Sequence, residues 1–495
     1  MSVSFSKIPS NLRLPLFYAE VDNSQANSGA QNQRTLIIGQ ITPAGNGVPG
    51  VPVISGGIAD AKAKGGPGSM LHLMTMAYLA SDSFGEVWFL PLADASQSIK
   101  AIGSVAVTAA PTDSGVISLY IAGKLVSVTV TATDTVASVA ASIIAQVNRN
   151  TALPVTAAVD SVSPGKVNLT AKNAGACGND IDLRLNFLGT INGEATPAGL
   201  VLNVTPMTGG ATNPVLDDAL AMLGDEPFDF IVSPYNDKTS LDALKSLMND
   251  TTGRWSWANQ IYGHVFAAKS GTLASLTAFG VTRNNQHESV IGVYDSPSPS
   301  WLWAADVAGA AAVALRADPG RPLQTLTLGY VTAPPHDSRF IATERNTLLW
   351  DGISTFTVGS DGTVALENVI TTYQENSYGE ADDSYLEIET LFLLMYVLRA
   401  QRSVITSKFA RVKLGADGGR YAPGSGVVTP SVIKAELIAN YQEMETNGMV
   451  QNSALFAQAL VVEQDKTNPN RVNVLWPVEL INQLRVFALL AQFRL

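Results

Sequence analysis

Short apolar segments alternate with amphipathic ones, give way to a charge-poor stretch of strict period two, and then resume. This predicts a multidomain α/β and α+β protein: a discontinuous α/β domain with an inserted mainly-β domain, a C-terminal α+β domain, and extended N- and C-terminal arms. The length agrees, because 495 residues at roughly 100–200 per domain make three or four domains.

Residues 1–33 carry Pro9, Pro15 and a polar Asn/Ser/Gln tract, while Val3, Phe5 and Ile8 alternate weakly. That pattern suits an extended arm with no partner nearby in sequence, which must pair elsewhere or fray. Residues 34–97 and 206–340 carry the α/β rhythm. Strands are expected over 35–41, 86–92, 228–233, 264–268 and 289–294, and helices over 69–80, 213–223, 240–249, 272–279 and 301–315. Strands alternating with helices imply a mostly parallel sheet covered by helices. Over 98–205, Val126, Val128 and Val130 alternate with Ser127, Thr129 and Thr131, so one strand face is buried and the other wet. A helix capped by Asp134 carries Val136, Val139, Ala140, Ile143 and Val147 on one face. Strands return over 155–159 and 167–171, and the Gly-rich run 175–180 marks a turn. Residues 341–476 read as α+β, with strands near 355–358 and 364–366 and helices over 385–403 and 431–445, the latter closed by Gly448. Over 477–495, Phe487, Leu489, Ala491, Phe493 and Leu495 alternate, as in a C-terminal strand or arm that leaves a sheet edge open.

Lys and Arg number 31 against 42 Asp and Glu, a net charge of −11, so the summed field repels phosphate backbones and direct nucleic-acid binding is disfavoured. Charged residues make up only 15%, against about 25% for an ordinary domain, which hints at surface buried between subunits. One cysteine, Cys177, excludes an intrachain disulfide and a Cys-based metal cluster. No run of about 18 apolar residues predicts membrane insertion, and the first residues do not read as an export signal.

No catalytic, cofactor or metal site is expected. The four histidines lack ligand spacing, and His72 sits among Met70, Leu71, Leu73 and Met74 as a packed residue would. There is no Gly-x-Ser-x-Gly elbow. The Gly-Gly-Pro-Gly-Ser run over 65–69 lacks both the Lys-Ser/Thr of a phosphate loop and dinucleotide spacing, so it reads as a plain loop. An α/β enzyme remains a weak alternative, since Asp237 and Asp295 lack a His or Cys partner close in sequence.

Charge is patterned near the end. Glu375, Glu380, Asp382, Asp383, Glu387 and Glu389 form an acidic stretch without calcium-loop spacing. Arg399, Arg402, Lys408, Arg411, Lys413 and Arg420 follow, with Asp417 the one acid among them. These are either solvated faces or complementary patches that meet head to tail between subunits, Asp382, Asp383 and Glu387 against Lys408, Arg411 and Lys413.

Several runs resemble one family. They are Ile8-Pro9-Ser10-Asn11-Leu12-Arg13, Asn368-Val369-Ile370-Thr371-Thr372-Tyr373, Tyr378-Gly379-Glu380-Ala381-Asp382-Asp383, Asn470-Arg471-Val472-Asn473-Val474-Leu475 and Asn482-Gln483-Leu484-Arg485-Val486-Phe487. Together they are similar to the contractile tail sheath proteins of Mu-like bacteriophages. The likeness covers nearly the whole chain and is most specific over 340–495. It implies a non-enzymatic virion tail protein, assembled in the host bacterial cytoplasm as hexameric rings stacked around the tail tube. Its partners would be further copies of itself, the tube protein, and baseplate and terminator proteins. The resemblance implies that 341–476 is a sheath core facing the tube and that the insertion faces outward. It also implies that the arms, here Val3, Phe5 and Ile8 and Phe487, Leu489 and Phe493, pair with a C-terminal sheet of neighbouring subunits. A sheath from a headless contractile particle or secretion system fits the same residues.

Overall fold

The structure, a computed structural model, describes residues 33–494. Val3, Phe5 and Ile8, and the arm expected over 1–33 save its last residue, lie outside the described residues. Two compact units are present, one built from 33–393 with the residues from 482 onward, the other from 394–481.

The first unit opens with β1 (Thr35–Gln40), buried at all six positions because both faces of the strand are covered. There follow β2 (Val53–Ile54), α1 (Ile58–Gly65), α2 (Met70–Ser81) and β3 (Val87–Leu92). Sequence reading missed β2 and α1, which follow a Gly/Pro-rich stretch that reads as loop. Ser69, expected inside α2, is instead its cap, its hydroxyl accepting the His72 N–H at 3.2 Å.

The inserted segment comprises β4 (Ile102–Ala109), β5 (Gly115–Ile121), β6 (Lys124–Val130), α3 (Val136–Arg149), β7 (Val155–Val159), β8 (Lys166–Ala171), β9 (Leu183–Leu185) and β10 (Val201–Thr208). They form two antiparallel sheets, ordered β10-β4-β8-β7 and β6-β5-β9, and α3 buries Val139, Ala140, Ile143 and Val147. The cap of α3 is Thr135, in a reciprocal pair with Ser138, whereas Asp134 closes the preceding turn by accepting the Thr131 N–H.

The chain then returns through α4 (Asp217–Ala221), β11 (Phe230–Val232), α5 (Lys238–Met248), β12 (His264–Ser270), α6 (Leu273–Gly280), β13 (Glu288–Val293) and α7 (Ser300–Ala317). The helix expected over 213–223 is reduced to α4; Pro214 disfavours a helical backbone at Asn213, whose side chain accepts the Ala176 N–H and donates to Asp237. The central sheet runs β13-β12-β11-β1-β3-β2, parallel except for β2. Helix α7, rich in alanine, packs against α2, β11 and β12. A Cβ on Gly309 would lie 2.4 Å from the Tyr78 carbonyl of α2, so only glycine permits this approach.

Two buried carboxylates tie this unit together. Asp306 of α7, fully buried, accepts the N–H groups of Gly329, Tyr330 and Val331 at 3.3, 2.8 and 2.9 Å and the Ser81 hydroxyl. Glu288, at the start of β13, takes a two-pronged ion pair from Arg283 at 3.0 and 2.7 Å.

Helix α8 (Ala342–Trp350) and the hairpin β14 (Thr355–Val358)/β15 (Val364–Asn368) follow. They pack with the first unit, so the division falls at 394 rather than at the expected 341. Ser354 bridges to Ile291, the Thr372 N–H reaches the Glu288 carbonyl at 2.9 Å, and both cover the outer edge of β13. Phe392 stacks on Phe230 with ring centroids 5.1 Å apart. It lies in α9 (Ile388–Phe409), a helix expected over 385–403 that starts later and runs further.

In the second unit come β16 (Lys413–Leu414) paired with β17 (Val427–Val428), α10 (Pro430–Thr446), α11 (Ser453–Ala459), and the antiparallel hairpin β18 (Val461–Gln464)/β19 (Val472–Leu475). Ile433, Leu437, Tyr441, Met444 and Phe456 form its core. Past β19 the described residues hold no helix or strand, only a bridge between Val450 and Leu480. Among the described residues of 477–495, where a strand was expected, none is formed.

Replacing Arg283 with Ala strands Glu288 in the interior and is expected to cost about 3–5 kcal/mol, read from urea denaturation. The His72 ring accepts the Gly68 N–H on Nδ1, and burial, aided by Lys62 and Lys172, pulls its pKa down to about 4. The folded-state value lies below the unfolded one. Its contribution is therefore full above about pH 6.5 and is lost as pH falls toward 4, an expected loss of up to about 3 kcal/mol. His72→Gln should flatten that part of a pH series of denaturation curves.

Candidate assembly interface

In the second unit, Tyr441 of α10 lies flat on Phe456 of α11, centroids 3.7 Å apart, with Trp476 edge-on to both. The Tyr441 hydroxyl donates to the Gln451 carbonyl at 2.8 Å and accepts the Glu479 N–H at 3.1 Å, so one side chain fixes both flanks of the hairpin. The turn between β18 and β19 is held by Asp465, which accepts the Thr467 hydroxyl, the N–H groups of Asn468 and Thr467, and the Asn473 amide. These bonds keep its carboxyl well below the usual range. The result is a two-stranded sheet in which, among the described residues, neither outer edge is paired, with Val461, Val474 and Leu475 exposed along it. Such a sheet is marginal alone and is a ready template for strand addition.

In the first unit, the segment from 482 onward reaches Glu387 and Glu389. Glu389, in the first turn of α9, is fully buried, its Oε1 accepting the Leu323 N–H at 2.8 Å. Burial pushes both carboxyl pKa values up, and Arg485 opposes this, its Nη2 lying 2.6 Å from Glu387 and 2.5 Å from Glu389. From the next residue on, every described side chain is exposed: Val486, Phe487, Leu489, Leu490 and Phe493 are 78–85% exposed. A run of apolar side chains left in water marks an interaction surface.

The charged candidates separate into two groups. Glu387 is taken by Arg485, Lys408 pairs with Glu436, and Asp382 accepts from Ser384 and from the Tyr373 hydroxyl within its own loop. Asp383, Arg411 and Lys413 are exposed. Sequence reasoning missed Arg485 as a site residue, although a lone cation inside the apolar run 484–490 was a signal. It also missed the hairpin, which the Thr-Asn-Pro-Asn turn between two Val-containing runs announces. Among the described residues no group of three His, Cys, Asp or Glu could hold a metal ion, and no helix is long and apolar enough to cross a membrane.

Strand edges left open among the described residues, with an exposed apolar run over 486–494, define a protein built to join other chains rather than to bind a small substrate. Residues 209–372 match the model of the phage tail sheath protein central domain and 380–494 that of the phage tail sheath C-terminal domain. The Mu-like prophage FluMu tail sheath protein of Haemophilus influenzae is 40% identical over 495 residues, the whole of both chains. The chain thus belongs to the tail sheath proteins of Mu-like phages and is a structural component of a contractile tail. Among solved structures, the sheath tail protein of Desulfitobacterium hafniense is 15% identical, over 95% of this chain and 97% of that one, with TM-score 0.48. That of Listeria innocua is 14% identical, over 93% and 95%, with TM-score 0.49. The anti-feeding prophage helical sheath in its contracted state is 12% identical, over 98% and 99%, with TM-score 0.46.

Tyr441→Phe removes both hydroxyl hydrogen bonds at the hairpin flanks and is expected to cost about 1–3 kcal/mol; Tyr441→Ala also empties the aromatic stack and should cost about 3–5 kcal/mol. Hydrogen exchange over 394–481 reads both.

Proposed function

We propose that this chain polymerises as stacked hexameric rings around a tail tube and contracts to drive the tube through the host envelope, with terminal arms adding strands to a neighbour's hairpin. The observation that carries this reading is that the chain has both a two-stranded sheet whose edges are open among the described residues and an exposed apolar run over 486–494. Strand addition suits a contracting lattice, because main-chain hydrogen bonds persist while the bodies they join rotate. The energy is held as a free-energy difference between two packings of one subunit, so no nucleotide is needed. The C-terminal region, 341–476, faces the tube, and the insertion, 98–205, faces outward. Tube, baseplate and terminator proteins are its partners in the virion tail, and assembly takes place in the host cytoplasm. Val3, Phe5 and Ile8 supply the front arm and Phe487, Leu489 and Phe493 the rear one. Of the charged candidates, Asp383 against Arg411 and Lys413 has the side chains free to meet between subunits.

Negative-stain electron microscopy of the untagged protein over a concentration series, with purified tail tubes added, should reveal striated tubes. A chain lacking residues 1–20 should stay folded and soluble yet give none; normal tubes from it would remove the front arm from the proposal. Asp383→Lys should raise the protein concentration needed for tubes, and Arg411→Glu on the same chain should lower it again at low salt. No change in either salt condition would leave the charge contact without support.

A further inference from the structure

The segment from 481 to 494 changes character at one residue. Through Arg485 its side chains alternate, 481, 483 and 485 half-buried and 482 and 484 exposed; from Val486 on, all are exposed. The boundary coincides with the Arg485 guanidinium, whose Nη2 donates to both Glu387 and Glu389. Beside it, the Gln324 amide reaches the Leu484 carbonyl at 3.4 Å, one residue from Leu323, whose N–H occupies the other oxygen of Glu389. The terminal segment, the start of α9 and the 323–324 turn therefore converge on one buried carboxylate.

We propose that Arg485 is the root of the rear arm: a positioning residue that fixes residues up to 485 to the subunit and sets 486 onward as the free length offered to a neighbour. The proposal rests on the reading that this arm engages another subunit. Charge-assisted hydrogen bonds suit an anchor under pull, because separating the pair leaves a buried carboxylate without the cation that compensates it. A purely apolar contact would instead let the segment slide. The fixed root also sets the register in which Phe487, Leu489 and Phe493 alternate on an added strand, since a slip of one residue would turn all three to the opposite face.

Trypsin tests this on the full chain, because cleavage after Arg485 requires that its side chain leave the two carboxylates and enter the protease. In the unassembled wild-type subunit Arg485 should be cut slowly, while the exposed Arg471 in the hairpin turn is cut readily. Glu387→Gln with Glu389→Gln keeps both side-chain volumes and should speed cleavage at Arg485 by about tenfold or more, as expected when proteolysis follows the population of the open form, with Arg471 unchanged. The same variant should raise the concentration at which tubes form. Equal cleavage of Arg485 in wild type and variant would overturn the anchor, as would tubes forming at the wild-type concentration from a variant whose Arg485 is cut faster. Should the double variant fail to fold, Glu387→Gln alone carries the cleavage test, because Glu389 keeps its charge. A chain truncated after Arg485 tests the underlying reading separately: tubes at the wild-type concentration would show that the rear arm is dispensable, whatever the cleavage rates.

Discussion

An ionised carboxylate withdrawn from water costs several kcal/mol unless a cation or a set of N–H groups replaces its hydration. The 33–393 unit buries three of them completely, Glu288, Asp306 and Glu389. Each is compensated by a different segment, Arg283 for Glu288, the 329–331 backbone for Asp306, and Arg485 for Glu389. The three sites tie the return strand β13, the central helix α7 and the chain terminus into one body, and the packing around them follows. Apolar burial supplies most of the stabilisation here as elsewhere, but it is non-directional. The carboxylates add the constraint that only one arrangement of these segments leaves no charge stranded.

The two units treat strand edges in opposite ways. On one side of the central sheet, β13 is covered by Ser354 and Thr372, so a long parallel sheet with apolar strands has that edge closed to association. In the 394–481 unit, β18 and β19 pair with no other strand among the described residues. On the proposed reading, a subunit stays soluble before assembly and polymerises on cue. The hairpin meets the first need by being only four residues long on each strand and by carrying Glu463 and Asn473 among its valines.

Much of the fold was legible in the sequence, for a physical reason. Strands β1, β12 and β13 each hold consecutive apolar residues, over 36–38, 265–268 and 290–291, because both faces are buried, and α2 and α7 are bounded by capping or turn-forming residues. Period two over 126–131 likewise marked β6 correctly. Local signals misled where two residues compete for one role: Asp134 and Thr135 can each cap α3, and only the geometry assigns Asp134 to the turn. The boundary at 394 was illegible because 341–393 looks like the start of a new α+β domain until its contacts with β13 are seen. In the same way Glu387 and Asp383, or Lys408 and Arg411, are indistinguishable as letters. Which of them keeps a free charge depends on Arg485 and Glu436, residues distant in sequence.

The Arg485–Glu389 pair has a consequence for synthesis. Its members are 96 residues apart, so at about 5–20 residues per second the ribosome needs roughly 5–20 seconds to pass from one to the other. Throughout that interval the pocket at the start of α9 holds a carboxylate without its cation, and the unit around it cannot close. The contacts at Glu389 are therefore among the last in this unit that can form during synthesis.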